Sequence, residues 1–329
     1  MTSKIDAIDR KLLFRLYDNS RSPVSKIAKD IGTTREIVEY RLNKLEKEGI
    51  IKGYIAKINH SLFCEGVANV LFKLTRPREE RFQEILMFLT SHPSINWIAE
   101  LSGNADIATT ILYKNSEDLS HILSEITTFL GKNLREHELS LYITEYKFYR
   151  GGILAHTPIT NIPASIISFG EHEQIGVDEK DFLLLSELSK NCRIKNIDLA
   201  KKVKISEDMV RIRIRNLEKR KIIFGYTFVM DINRYGLESY YLNLHIENMT
   251  KETIAKIQYY VWNNPYIGYC ARTAGKYNII ISLYAKGRKH FHELLLDIRK
   301  NLSSDLVHYE INLLMEEHKE VFLPENFCR

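Results

Sequence analysis

Apolar residues at Val38, Leu42 and Leu45, and again at Val210, Ile214 and Leu217, fall at the i, i+4, i+7 spacing of one buried helix face. They lie in two stretches that repeat each other 172 residues apart: Thr33–Tyr54 (TTREIVEYRLNKLEKEGIIKGY) and Ile205–Tyr226 (ISEDMVRIRIRNLEKRKIIFGY). The copies share Arg41/Arg213, the run Leu45-Glu46-Lys47/Leu217-Glu218-Lys219, Ile50-Ile51/Ile222-Ile223 and Gly53-Tyr54/Gly225-Tyr226. Each predicts a helix, a basic turn and an apolar strand. Thr33 with Glu36 predicts a capping box, and Ser206 before Glu207 and Asp208 predicts an N-cap with negative charge at the positive helix end. The stripe leaves Arg35, Glu39 and Asn43 on another face of the first helix, and Glu207, Arg211 and Arg215 on the second. A short amphipathic helix precedes each, Val24–Ile31 and Ile197–Val203, across a turn at Gly32 or Lys204. Two short helices across a tight turn, the second with a long polar face, form the helix-turn-helix pattern.

The helix before each pair is predicted at Asp6–Asn19, with stripe Ile8, Leu12, Leu13 and Leu16, and at Asp178–Lys190, with Phe182, Leu185 and Leu188. This reading puts three extra residues in the second unit around Asn191–Asn196, a cheap variation for a loop. Each three-helix unit ends in a short strand, Gly53–Ile58 or Gly225–Ile232. The alternation in VANVLFKL and IATTILY and the stripe Phe82/Ile85/Leu86/Leu89 then predict a β-α-β-β-α-β module over Val67–Tyr149. Its second copy spans Ser239–Lys319. Gly103 and Gly275 keep the offset of 172. Such a split βαβ, ferredoxin-like sheet carries helices on one face and needs cover on the other, so it is expected to pair with its second copy. The fold class is α+β. The expected domains are 1–60 and 177–232 (helix-turn-helix), 61–150 and 233–329 (βαββαβ), and a docked linker over 151–176.

Composition sharpens this picture. The 329 residues are 44% hydrophobic and 27% charged with a net charge of +5, a globular balance too long for one ordinary domain. Charge is uneven: residues 21–57 hold nine Lys/Arg against five Asp/Glu, and residues 195–221 hold ten against four. That is the electrostatic footprint of phosphate binding, concentrated on the two repeated segments. No apolar run reaches the ~20 residues of a membrane helix, and the N-terminus has no signal-peptide core. Cys64, Cys192, Cys270 and Cys328 are far apart, as expected for reduced thiols of a cytoplasmic, chromosome-associated protein. Neither a metal site nor a cofactor is expected.

The order helix-turn-helix, short strand, βαββαβ, with the phrase LEKEGIIKGY, resembles the Lrp/AsnC family of prokaryotic transcription regulators, here as two units fused in tandem. The resemblance implies that the winged helix-turn-helix modules bind double-stranded DNA. It also implies that the βαββαβ (RAM-type) modules make the dimer or oligomer and take an amino acid or other small effector at their interface. The family's Gly-x-x-Asp turn stands as Gly103-Asn104-Ala105-Asp106, and in the second copy as Gly275-Lys276-Tyr277-Asn278, with Asn for the carboxylate. Gly103, Asn104, Asp106, Gly275, Lys276 and Asn278 are thus the effector candidates, although a tight hairpin turn favours Gly whatever it binds.

For DNA, Thr34–Leu45 and Glu207–Leu217 are expected in successive major grooves. Arg35, Arg211 and Arg215 are the guanine-reading candidates, and Glu39 or Glu207 could accept from cytosine. Asn43 shares the first reading face. Arg41 and Arg213, beside the buried stripe, read equally as phosphate contacts or as salt-bridge partners within their module. Lys44, Lys47, Lys52, Lys219, Arg220 and Lys221 are general phosphate candidates, with Thr34 at the helix start. Unlike reading faces predict an asymmetric operator. The alternative from another class is an enzyme: siroheme decarboxylases share this two-module architecture, and Arg272-Thr273-Ala274-Gly275-Lys276-Tyr277-Asn278 is similar to their corresponding turn. Those enzymes use His there, and this chain has none between His245 and His290. The basic recognition helices also favour DNA.

Overall fold

The computed structural model describes residues 5–148, 150–155, 167–169, 176–302 and 305–324. The first half runs α1 (Ala7–Asn19), α2 (Val24–Ile31), α3 (Arg35–Lys47), β1 (Ile51–Ile58), β2 (Gly66–Leu74), α4 (Glu79–Ser91), β3 (Ile95–Gly103), β4 (Ile107–Tyr113), α5 (Ser116–Leu130) and β5 (Leu134–Phe148). A connector follows with α6 (Gly151–Ala155) and β6 (Ile167–Ser168). The second half repeats the order: α7 (Glu179–Lys190), α8 (Asn196–Val203), α9 (Glu207–Lys219), β7 (Ile223–Met230), α10 (Ile232–Tyr235), β8 (Glu238–Ile246), α11 (Lys251–Asn263), β9 (Ile267–Gly275), β10 (Ile279–Ala285), α12 (Arg288–Leu302) and β11 (Leu306–Glu320). This is the expected α+β duplication.

Three details differ from expectation. The α3 cap is Thr34, whose side chain accepts from the Ile37 amide at 3.4 Å, while the Thr33 amide closes the preceding turn on the Ala28 carbonyl. Thr33 therefore belongs to the turn, and no Thr33–Glu36 capping box forms. No three-residue insertion exists either. The buried leucines of α7 are Leu184, Leu185 and Leu188, matching Leu12, Leu13 and Leu16 at an offset of 172, and Phe182 is only partly buried. Taking Phe182 as the start of the stripe shifts the phase. Finally, the strand after each helix-turn-helix does not stay with its own unit.

That last point organises the molecule. β1 and β7 pair antiparallel with each other, Ile55 opposite Thr227 and Tyr54 opposite Phe228. One face of the ribbon completes the first three-helix core (Leu12, Leu16, Val38, Leu45, with Phe228 and Met230), and the other completes the second (Leu185, Leu188, Val210, Leu217, with Ile55 and Ile58). Each core thus contains a strand from the opposite half. At the centre of this exchange, Ser20 Oγ lies 3.1 Å from Cys192 Sγ, and the two residues are related by the repeat itself. The Ser20 amide donates to the Tyr226 carbonyl, and the Cys192 amide to the Tyr54 carbonyl.

The βαββαβ modules join in the same reciprocal way. Strand order within each is β3-β4-β2-β5 and β9-β10-β8-β11, antiparallel throughout. β5 and β11 are 15 residues long, enough to continue past their own module. The far half of β5 pairs with β9, and the far half of β11 pairs with β3. The ring closes into a barrel of eight strands, with β6 appended to β5. Closure removes the exposed sheet edges and supplies the cover that each sheet face needs. On β2, Ala68, Val70, Phe72 and Leu74 pack under α4 and α5, whereas Val67 and Leu71 face the barrel interior. Both faces are buried, so the strand reads as a nearly continuous apolar run.

A buried lysine and a half-buried one, again 172 residues apart, tie the modules together. Lys147 Nζ donates to the carbonyls of Val261 (2.6 Å) and Asn264 (2.9 Å) at the end of α11. Lys319 Nζ donates to those of Thr90 (2.8 Å) and His92 (3.0 Å) at the end of α4. Each strand thereby caps a helix of the other module, where a cation meets the orphan carbonyls and the negative dipole end. Within the connector, Ile153 and Leu154 of α6 are buried in the first helical core. Pro158, Ile162, Pro163 and Ile166, part of the linker reading, lie outside the described residues, as does Cys328. The other three cysteines are buried and form no disulfide with one another.

Candidate nucleic-acid interface

Each recognition helix is fixed by its own sequence at both ends. Ser206 caps α9 by accepting from the Met209 amide, as Thr34 caps α3. The turn before each helix holds a left-handed residue, Gly32 (φ 72°) and Lys204 (φ 57°), and the turn after it repeats the pattern with Gly49 (φ 70°) and Lys221 (φ 57°). Behind the helix, Tyr54 hydroxyl donates to Glu46 (2.5 Å) and Tyr226 hydroxyl to Glu218 (2.6 Å), anchoring helix to ribbon. Arg193 of the second unit stacks over Tyr54 and Arg21 of the first over Tyr226, so the anchor is shared between units.

Arg41 and Arg213 are inward ties. Arg41 Nη1 lies 2.7 Å from both Asp6 and Asp9, and Arg213 Nη1 lies 2.8 Å from Asp178 and from Asp181. Amide donation from Asp9 and the Arg41 guanidinium hold the Asp6 carboxyl below its usual range; the Asp181 amide and Arg213 do the same for Asp178. Of the two roles left open for these arginines, the geometry displays the intramodule salt bridge.

The outer face carries Thr34, Arg35, Asn43, Arg211, Arg215 and Lys219 exposed, with Glu39, Lys44 and Glu207 half-buried. Arg35 Nε pairs with Glu39 at 2.7 Å, and Arg211 Nη2 pairs with Glu207 at 2.6 Å; these exposed i, i+4 pairs are weak and exchangeable for phosphates or bases. Arg215, Lys219 and Lys221 have no ion-pair partner among the described residues. Lys44 and Lys52 approach Glu48 and Asp231 at 4.0 and 3.6 Å, and Arg220 donates to the Gly176 carbonyl.

Sequence reasoning overlooked four residues on these faces. Ile37 and Tyr40 on α3, and Met209 and Ile212 on α9, are exposed at equivalent positions; Tyr40 is 70% and Ile212 57% accessible. For Tyr40 and Ile212 the signal was available: two residues from Val38 and Leu42, or from Val210 and Ile214, is the side of a helix opposite its core. Large apolar groups on the most outward positions suit thymine methyls in a major groove.

The two Gly-x-x-Asp/Asn turns are built into the barrel. A Cβ on Gly103 (φ 153°) would fall 2.9 Å from the Ile311 carbonyl oxygen, and one on Gly275 (φ 159°) 2.9 Å from that of Leu139. Asp106 accepts from the Leu74 amide at 2.7 Å and from Lys73 Nζ at 3.3 Å. Asn278 accepts from the Ile246 amide at 2.8 Å and donates to the Ile246 carbonyl at 2.7 Å. Asn in the second copy thus makes both bonds to one backbone position, which a carboxylate could not. Lys276 Nζ bridges Glu138 and Glu310 at 3.2 Å each, and Asn104 also reaches Glu310. Asn104 and Lys276, one from each turn, therefore meet at Glu310, while Asp106 and Asn278 are partnered within their own modules. No helix among the described residues is long and apolar enough to cross a membrane, and none of their His, Cys, Asp and Glu side chains cluster as metal ligands.

The family described as winged helix-turn-helix DNA-binding matches residues 5–52 and again residues 177–223, the two three-helix units at the same offset. The HTH-type transcriptional regulator FL11 of Pyrococcus horikoshii is 28% identical over 131 residues, 40% of this chain and 85% of its own length. An uncharacterized HTH-type transcriptional regulator of Pyrococcus abyssi is 28% identical over 145 residues, 44% of this chain and 94% of its own. One whole relative corresponds to half of this protein. The chain carries two winged helix-turn-helix units in tandem, each followed by a βαββαβ module. Its fold is shared end to end by the crystal structure of the siroheme decarboxylase NirDL, at TM-score 0.61 and 14% identity, covering 97% of this chain and 94% of that one. At that identity the likeness concerns the fold alone.

Proposed function

We propose that this protein is a DNA-binding transcriptional regulator whose two unlike recognition helices read one asymmetric site. The observation that carries the reading is the β1–β7 ribbon, which holds α3 and α9 in one rigid pair while both helices keep a basic, partly apolar outer face to solvent. Arg35, Arg211 and Arg215 are the base-reading arginines, Asn43 and Tyr40 add to the first face, and Met209 and Ile212 add to the second. Lys44, Lys47, Lys219 and Lys221 take phosphates. In a symmetric homodimer both faces are the same and the operator is palindromic; here Arg35/Glu39/Tyr40/Asn43 faces one half-site and Glu207/Arg211/Ile212/Arg215 the other. The paired βαββαβ modules are the seat of a small effector. Selection from random DNA, followed by footprinting at two salt concentrations, tests the reading. An asymmetric protected site with a steep salt dependence is expected; a perfectly palindromic consensus removes the asymmetric reading, and uniform coating of all fragments removes the regulator.

The enzyme reading draws on the architecture shared with the siroheme decarboxylase over both units. We read this chain as a regulator because its recognition faces are solvent-exposed and cationic. Mixing with an iron porphyrin separates the two: no shift of the Soret band is expected, and a saturable shift would return the enzyme to first place.

A further inference from the structure

Inside the barrel, between the two βαββαβ modules and below the ribbon, lies a partly open cavity of about 70 Å³. Aromatic rings form much of its wall: Trp97 and Tyr269, equivalent positions of the two halves, together with Tyr142 and Tyr241. Trp97 stacks on Tyr241 with centroids 5.6 Å apart, and Tyr142 lies 6.5 Å from Tyr269. Three carboxylates also line it, Glu145, Glu317 and Glu320, against one guanidinium, Arg150. Arg150 is already engaged, pairing with Glu317 at 2.9 Å and with Glu320 at 3.3 Å. Trp97 Nε1 donates to Glu317 as well.

Among the described residues, Glu145 has no lysine or arginine partner. It is buried, accepts a bond from the Tyr269 hydroxyl at 2.8 Å, and has His60 Nε2 at 3.6 Å. Burial holds His60 below its ordinary pKa, so the imidazole is neutral. His60 itself is 3% exposed, and neither ring nitrogen makes a well-formed hydrogen bond among the described residues, although the Ile58 backbone and Glu145, at 3.6 Å, lie beside it. A buried carboxylate without a lysine or arginine counter-charge, beside a buried imidazole without a well-formed hydrogen bond, is an incomplete arrangement, costly unless something completes it.

We propose that this cavity binds a small organic cation, a primary alkylamine, whose ammonium is held between Glu145 and His60 and whose chain lies along the aromatic wall. The proposal rests on the effector role given above to the paired modules, and it moves that role from the glycine turns to the barrel interior. An ammonium has three donors and no acceptor. It can give one hydrogen to the Glu145 carboxylate, one to a His60 nitrogen and one to a tyrosine oxygen, while tyrosine and tryptophan faces attract the charge. At roughly 10–15 Å³ for each water-sized group, the cavity takes about five to seven such groups, the size of a short alkylamine. An anion would meet three carboxylates. Since His60 lies just beyond the end of β1, an occupant presses on the ribbon that sets the spacing of the recognition helices.

Calorimetry on the full chain, with butylammonium as the probe and 1-butanol and butyrate as neutral and anionic isosteres, tests the proposal without DNA. Trp97 fluorescence gives a second readout at the site. Butylammonium is expected to bind and to change Trp97 emission, with both isosteres weaker by roughly tenfold or more. Glu145→Gln, which keeps the shape, and His60→Gln are each expected to weaken the amine by a similar factor with unchanged thermal unfolding. Equal binding of the isosteres, indifference to both substitutions, or no binding of the amine would each overturn the proposal. An amino acid that binds equally well to the Glu145→Gln protein would also overturn it while preserving an effector role elsewhere on the paired modules. DNA binding lost through Arg211 and Arg215 is measured separately and stands or falls alone.

Discussion

The two halves of this chain are one plan drawn twice, and the positions where they agree differ in kind from those where they do not. Agreement is found at inward ties: Arg41/Arg213 on their aspartate pairs, Tyr54/Tyr226 on their helix glutamates, Lys147/Lys319 on the opposite module's helix ends, Gly103/Gly275 against the opposite strand. Each partner is set by backbone geometry that both halves share, so the residue type is dictated twice. Divergence is found where nothing in the fold answers back, on the outer faces of α3 and α9, and on the axis, where a repeated position meets its own copy. Ser20 faces Cys192, and Tyr241 hydroxyl donates to Asn69 at 2.8 Å. In a single chain the two sides of such a contact need not be the same residue, which a symmetric dimer cannot achieve.

The strongest way to break the comparison is to attack a shared tie. Gly103→Val and Gly275→Val each put a branched side chain against a backbone carbonyl, and each is expected to cost about 3 kcal/mol in denaturant unfolding. A large difference between the two would mean that the turns are not equivalent. On the diverged faces, Arg211→Ala with Arg215→Ala is expected to weaken operator binding about a hundredfold, against about tenfold for Arg35→Ala at the same salt. The reverse order in a gel-shift titration would give the first helix the leading role.

A subtler comparison concerns the lysine clasps. Burial pulls Lys147 down to about 7 and Lys319 to about 8 from the ordinary lysine value. Between those values and the unfolded pKa of about 10.4, the unfolded chain binds more protons than the folded one, so stability rises with pH in that window. Unfolding midpoints that climb from neutral to alkaline pH, with part of the slope removed by Lys147→Met, are the expected result. A flat profile would show that the carbonyl cradles keep both lysines charged. The smallest expected effect lies at the left-handed turns, where the first unit has Gly49 and the second Lys221. Lys221→Gly relieves a non-glycine left-handed residue and is expected to stabilise by roughly 0.5–1 kcal/mol, while losing a phosphate cation and some DNA affinity. Unchanged melting with unchanged DNA binding would contradict both parts.

Much was legible in the sequence because it is local. The apolar stripes of α3 and α9, the alternation of the strands and the two-module order follow from periodicities of 3.6 and 2, which need only neighbouring residues. The offset of 172 announced the duplication, and charge marked the helices proposed to face DNA. Errors were local as well: Thr33 for Thr34 at a cap, Phe182 for Leu184 in a stripe, and outward arginines noticed before the outward Tyr40 and Ile212.

Only the tertiary structure decided which half each element serves. Nothing in Ile51–Ile58 says that it pairs with Ile223–Met230 instead of folding back on its own unit. Nor does the length of β5 or β11 announce that its far end belongs to the other module. Those choices minimise exposed strand edge and apolar surface over the whole chain, a sum that no short window contains. The same closure gathers His60, Trp97, Glu145 and Tyr269 from four separate elements around one cavity. In the sequence they are a histidine in a turn, a tryptophan and a tyrosine in strands and one glutamate among many, and their chemistry exists only once the barrel has closed.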